Sequence, residues 1–181
     1  MKDLLSFFQS FFNNIPISLL MFLLSAYLII IILMMVMRCS KEMITMVSLG
    51  LALIEYVIVI MLATVFFRPI SAEYQSEMIP FWSYNRIING DMHLLRANIL
   101  NTLLFIPIGL LLCGITNGKR WLLPVILAAS LSVFIELMQY VFRRGLFEFD
   151  DIFHNTLGCL LGFFFIKLFS CNCPKGTARM L

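Results

Sequence analysis

The chain has 181 residues, 61% of them hydrophobic in type, against roughly 45–50% in soluble domains. Charged residues make up only 13%, about half the usual share of roughly 25%, and the mean hydropathy is +0.97. A globule of this size cannot hide so much apolar surface from water, and a net charge of +3 is too small and scattered for nucleic-acid binding, so soluble enzymes, disordered chains and secreted disulfide scaffolds are excluded.

What remains is a single all-α membrane domain over 1–181, a bundle of five transmembrane helices preceded by an amphipathic segment. In residues 1–14, Leu4, Leu5, Phe7, Phe8, Phe11 and Phe12 recur at helical spacing, with Asp3, Ser6, Gln9, Ser10 and Asn13 opposite. That pattern predicts a helix lying in the membrane interface. It does not read as a signal peptide, since Lys2 is its only base and no small-residue cleavage site follows. Pro16 separates it from a first span of about Ile15–Met37, and Arg38, Lys41 and Glu42 lead into a second of about Met43–Phe67. Each exceeds the roughly 20 residues that cross a hydrocarbon core.

The Arg68–Ala97 connection is long and holds the aromatic run Ile79-Pro80-Phe81-Trp82-Ser83-Tyr84-Asn85-Arg86. Trp and Tyr favour the headgroup level, so the run reads as an interfacial segment or as part of a lid over a site facing the lipid. A third span, about Ile99–Ile115, is short; it crosses with little tilt or extends backward through Asn98. Asn117-Gly118 mark the following turn. The fourth span runs from Trp121 to about Phe142 and the fifth from about Ile152 to Phe169, ahead of a polar tail.

Loop charges set the expected orientation. With the N-terminus outside, the inner side carries Arg38, Lys41, Lys119, Arg120, Lys175 and Arg179, with Lys167 at a helix end. The outer side carries Lys2, Arg68, Arg86, Arg96, Arg143 and Arg144, in company with Glu73, Glu77, Asp91, Glu148, Asp150 and Asp151. The Lys/Arg numbers are nearly balanced, but the first set is almost free of acids, which favours N-out, C-in.

Polar residues gather at the outer ends of spans three to five. Ser132, Glu136, Gln139 and Arg143 follow at i, i+4, i+7 and i+11, one stripe at 100° per residue. An ionisable group inside a span is costly and commonly marks a site; a polar clasp between helices is the other reading of Glu136. Asp151, Asn155, Gly158 and Gly162 repeat the spacing in the fifth span, and Gly158 and Gly162 allow another helix to approach closely. Asp150 and Asp151 stand where a helix start favours acids and caps. Arg96, Asn98 and Asn101 open the third span, with Phe105 on the same side and Pro107 and Gly109 beyond. Glu55, mid-way along the second span with Ser48 on its side, is a lone acid for pairing or proton transfer.

No metal or cofactor is expected. His93 and His154 match no zinc spacing, and Cys171-Asn172-Cys173 lacks a second ligand pair. Five cysteines, two in apolar runs, suggest no disulfide framework. Neither a phosphate-binding loop, a dinucleotide glycine pattern nor a Gly-flanked nucleophilic serine is present.

In Ile79-Pro80-Phe81, in Asn101 followed by Phe105-Ile106-Pro107-Ile108-Gly109, in Ser132 through Glu136 to Gln139, in Arg143 or Arg144, and in Asp151 with Asn155, Gly158 and Gly162, the chain resembles the VanZ-like family of bacterial membrane proteins over roughly residues 60–170. The family is named after a protein associated with teicoplanin resistance. The resemblance implies a multi-pass protein of the bacterial cytoplasmic membrane with a link to low-level teicoplanin resistance, and no particular reaction.

The leading expectation is a polar site at one membrane face that binds an anionic lipid or lipid-linked cell-envelope group. Arg96, Arg143 and Arg144 would hold phosphate or carboxylate. Glu136, Asp150 and Asp151 would orient them or act as acid and base, among Asn98, Asn101, Ser132, Gln139 and Asn155. The alternatives are a membrane enzyme hydrolysing or transferring a lipid-linked substrate through its carboxylates and a small proton-coupled transporter using Glu55 and Glu136. The absence of an evident inverted repeat argues against the transporter.

Overall fold

The computed structural model describes residues 15–171, so the amphipathic segment 1–14 and Cys173 lie outside the described residues. Its helices are α1 (Ile17–Val36), α2 (Lys41–Met61), a short α3 (Trp82–Ile88), α4 (Met92–Thr116), α5 (Leu122–Val141) and α6 (Phe149–Cys171). All but α3 belong to segments long and apolar enough to cross a membrane. The protein is therefore an all-α, multi-pass membrane protein, with one pair of three-residue strands among the described residues, β1 (Gln75–Glu77) and β2 (Leu146–Glu148), joined in parallel.

Helix α1 follows Pro16, whose fixed φ suits a helix entrance. It is apolar on every side and buries no residue, so lipid is its solvent. It touches α2 through the Tyr27 hydroxyl and Ser48 Oγ. Arg38, in the left-handed conformation, turns the chain. Ser40 then caps α2 by accepting from the Met43 N–H at 3.2 Å. Glu55 borders a shallow groove of about 330 Å³ between α1 and α2, beside Tyr27 and Tyr56. Tyr56 donates to the Leu104 carbonyl at 3.0 Å, tying α2 to α4.

The last turn of the second span, Leu62–Phe66, widens to a π-helix, a distortion that frequently occurs at functional sites. Helix α4 starts at Met92, seven residues before Ile99, so Arg96, Asn98 and Asn101 all lie on it. Helix α6 starts at Phe149, three residues before Ile152, which puts Asp150 and Asp151 in its first turn.

The core sits where α2, α4, α5 and α6 meet, around Ile60, Leu104, Phe105, Ile108, Ile135 and Cys159. Three glycines set the closest approach. A methyl group on Gly158 would overlap the Thr102 carbonyl, one on Gly162 the Ile106 carbonyl, and one on Gly109 the Cys159 carbonyl. The glycine pair of the fifth span thus packs against α4, backbone to backbone, as small residues allow in membranes. Gly109 makes the reciprocal contact from α4.

Candidate functional site

The buried acids and the buried histidine of the described residues lie at one end of the bundle, where α2 ends, α4 begins, α5 ends and α6 begins. Two connected layers form there.

The outer layer is built on Asp150, which has no exposed surface. Its carboxylate accepts from the Phe81 N–H at 2.5 Å, the Ser83 N–H at 3.1 Å and the Ser83 hydroxyl at 2.5 Å. Asn98 donates to Ser83 Oγ at 3.1 Å. Asp150 therefore satisfies the free N–H groups at the start of α3 rather than those of its own helix, as a capping carboxylate does. This fixes the aromatic run: Phe81 is held at φ 62°, a conformation that costs a bulky residue energy and persists where surroundings enforce it. His154 donates from Nδ1 to the Asp150 carbonyl at 2.6 Å, which leaves Nε2 to accept from the Tyr84 hydroxyl at 3.0 Å.

The inner layer surrounds an enclosed cavity of about 30 Å³ lined by Thr64, Arg68, Asn101, Glu136, Gln139, Asp151 and Asn155 with three apolar residues. Glu136 is 1% exposed and lies five residues before the end of α5, about 7.5 Å deep at 1.5 Å per residue. One of its oxygens accepts from the Glu148 N–H at 3.0 Å. Strand β2 carries that N–H, and β1 holds β2 in place by pairing Glu77 with Glu148. Gln139 donates to the Thr64 carbonyl in the π-turn at 3.3 Å, and Asn155 to Ser132 Oγ at 2.8 Å. Asn101 hydrogen-bonds Asp151. The amide oxygens of Gln139 and Asn155 are buried and find no partner among the described residues.

Arg68 is the cation of this site. It acts electrostatically on Glu136, Glu148 and Asp151, and its guanidinium reaches no carboxylate of the described residues at salt-bridge distance. Burial, then the charges of Asp151 and Asp150, pushes the Glu148 carboxyl up to about 8, while Arg68 pulls it down. Among the described residues no group of three or more His, Cys, Asp or Glu is arranged to hold a metal ion.

Of the residues singled out by sequence, Asn98, Asn101, Ser132, Glu136, Gln139, Asp150, Asp151 and Asn155 come together across the two layers. The three arginines stand apart. Arg143 follows the end of α5 in a left-handed conformation, φ 54°, so the helical stripe stops at Gln139, and its guanidinium lies over Tyr74 at 5.6 Å. Arg144 donates to the Phe66 and Arg68 carbonyls at 2.5 and 2.6 Å, clasping the end of the π-turn. Arg96 is half-buried on α4 and does not line the cavity. Thr64, Arg68, Ser83 and Glu148 were not singled out. Arg68 had a signal, since it closes the second span at the same boundary where the fourth ends.

A family model described as VanZ/LLP1 matches residues 53–170. This range contains every residue of both layers and leaves out α1. Comparison with curated proteins and with solved structures finds no match.

Proposed function

The chain belongs to the VanZ-like family, and from that premise we propose that its polar cavity binds the head of a membrane lipid or lipid-linked cell-envelope group. The observation that carries this reading is the enclosed cavity itself: acids and unpartnered amides lie within about two helical turns of the span ends, with an arginine at the rim. That depth is where a lipid headgroup meets the acyl region. In this reading Arg68 takes phosphate or carboxylate, as a guanidinium fork does. Arg143 and Arg144 shape the rim through Tyr74 and the π-turn, and Arg96 stands beside it on α4. The Asp150 layer holds the aromatic run over the site as a fixed cover. The site faces outward, with the N-terminus outside and the C-terminus inside the bacterial cytoplasmic membrane, and its loss raises susceptibility to teicoplanin.

Lipid mass spectrometry on the purified protein tests this. One headgroup class should be enriched in wild type and lost from Glu136→Gln. Identical lipid profiles in the two proteins would overturn the reading. A second reading draws on Glu148, which keeps its proton to about pH 8 beside Glu136 and so suits a general acid. In that case wild type alone converts an added lipid-linked substrate to a new product.

A further inference from the structure

The unpartnered atoms of the cavity define what chemistry it accepts. The Thr64 carbonyl can only accept, so Gln139 must turn its NH₂ toward it, leaving the amide oxygen of this cavity-lining residue buried and without a partner, on the side of Gly145. Asn155 Nδ2 donates to Ser132 Oγ at 2.8 Å, and its amide oxygen is buried without a partner. Both side chains belong to residues only 4% exposed. Glu136 has one oxygen engaged by the Glu148 N–H and one open, and Asp151 receives one side-chain hydrogen bond, from Asn101. The open positions of Gln139, Asn155, Glu136 and Asp151 are therefore acceptors, Arg68 brings the donors at the rim, and two carboxyl groups face a single guanidinium that pairs directly with neither.

We infer that the group entering this cavity is a primary ammonium, carried by the same ligand whose anionic part lies against Arg68. This deepens the lipid-head reading above and rests on it for the anionic part alone. An ammonium has three donors and no acceptor, enough for Gln139 Oε1, Asn155 Oδ1 and one carboxylate. It also offsets the excess negative charge, which in low dielectric needs a proton or a cation. A proton on Glu136 would supply one donor at most and leave an amide oxygen unpaired. Phosphate brings only acceptors to walls that are already acceptors. The space agrees: about 30 Å³ holds one small group, given that a water needs at least about 10–15 Å³.

The test uses the full-length chain, freed of lipid in detergent and titrated with four probes by native mass spectrometry and thermal shift. The probes are phosphatidylethanolamine, its N-acetylated form, phosphatidylglycerol and ethanolamine. The aminolipid should bind about tenfold more tightly than the acetylated lipid or phosphatidylglycerol, the effect of about one charge-assisted hydrogen bond. Gln139→Met, similar in size but lacking the oxygen, should erase most of that preference. Equal affinity of wild type for all three lipids would overturn the ammonium and leave the lipid reading standing. Protection by ethanolamine equal to that by the aminolipid would support the ammonium and overturn the lipid reading. Binding of none of the probes, with water alone filling the cavity, would overturn both.

Discussion

Asp150, Glu136 and Glu148 are three acids within one site whose surroundings give them different work. Asp150 receives three donors from the start of α3. A stranded buried donor costs about 1–3 kcal/mol, so Asp150→Ala should be strongly destabilising, and Asp150→Asn less so because one acceptor oxygen remains. Thermal melting in detergent checks this, and an unchanged midpoint for Asp150→Ala would contradict it. Glu136 accepts from a backbone N–H. Glu136→Gln keeps that acceptor and should give folded protein without its bound lipid, whereas Glu136→Leu strands the Glu148 N–H and should also lower the yield of folded protein. For Glu148 the sign of the pH dependence follows from burial. The folded protein holds a proton to about 8, where the ordinary value is 4.5. Its contribution to stability is full below about pH 4.5, falls as pH rises, and is gone above about pH 8. Glu148→Gln should flatten the melting profile across that window.

Helices α4 and α6 meet through backbone contacts that only glycine permits. An added Cβ at Gly158 or Gly162 runs into a carbonyl of α4, whereas at Gly50 it meets nothing within 4 Å. Gly158→Ala and Gly162→Ala should each cost at least about 1–3 kcal/mol, as overpacking does. Gly50→Ala should be neutral or stabilising by up to about 1 kcal/mol, through helix propensity. Gly145 lies between these cases. Its added Cβ would meet the tips of Gln139 and Arg68, at 2.9 and 3.0 Å, so Gly145→Ala should leave the melting midpoint nearly unchanged while displacing the rim of the cavity. Detergent melting of these variants, compared with lipid retention, separates helix packing from site geometry. The π-turn belongs to the same element-level design: it carries the Thr64 carbonyl that orients Gln139 and the Phe66 carbonyl that holds Arg144.

Across the whole molecule, every element that enters the cavity does so from the same end, so one membrane face carries the chemistry. With the proposed N-out orientation that face is the outer one. Single cysteines introduced at Asn89 and at Lys119, in a background without the five native cysteines, test it in intact cells. An impermeant thiol reagent should label position 89 and spare position 119; the reverse pattern would place the site inside. Helix α1 buries nothing and lies outside the matched family region. The cavity is complete without it.

Composition and periodicity were sufficient for the five spans, because a membrane demands long apolar runs whatever the partners are. They also placed Ser132, Glu136 and Gln139 on one buried face of α5, and Asn155, Gly158 and Gly162 on one face of α6, since a 3.6-residue period is a local property of the chain. The period does not say where a helix stops. Arg143 was assigned to the stripe, but the backbone turns left-handed there and Arg68 supplies the cation instead. Nor does it say which partner a side chain finds. Asp150 satisfies Ser83, 67 residues away in the chain, and Gly158 meets α4 rather than its neighbour α5. Those pairings depend on how the helices pack and on the need of each buried polar atom for a partner, so only the tertiary structure decides them.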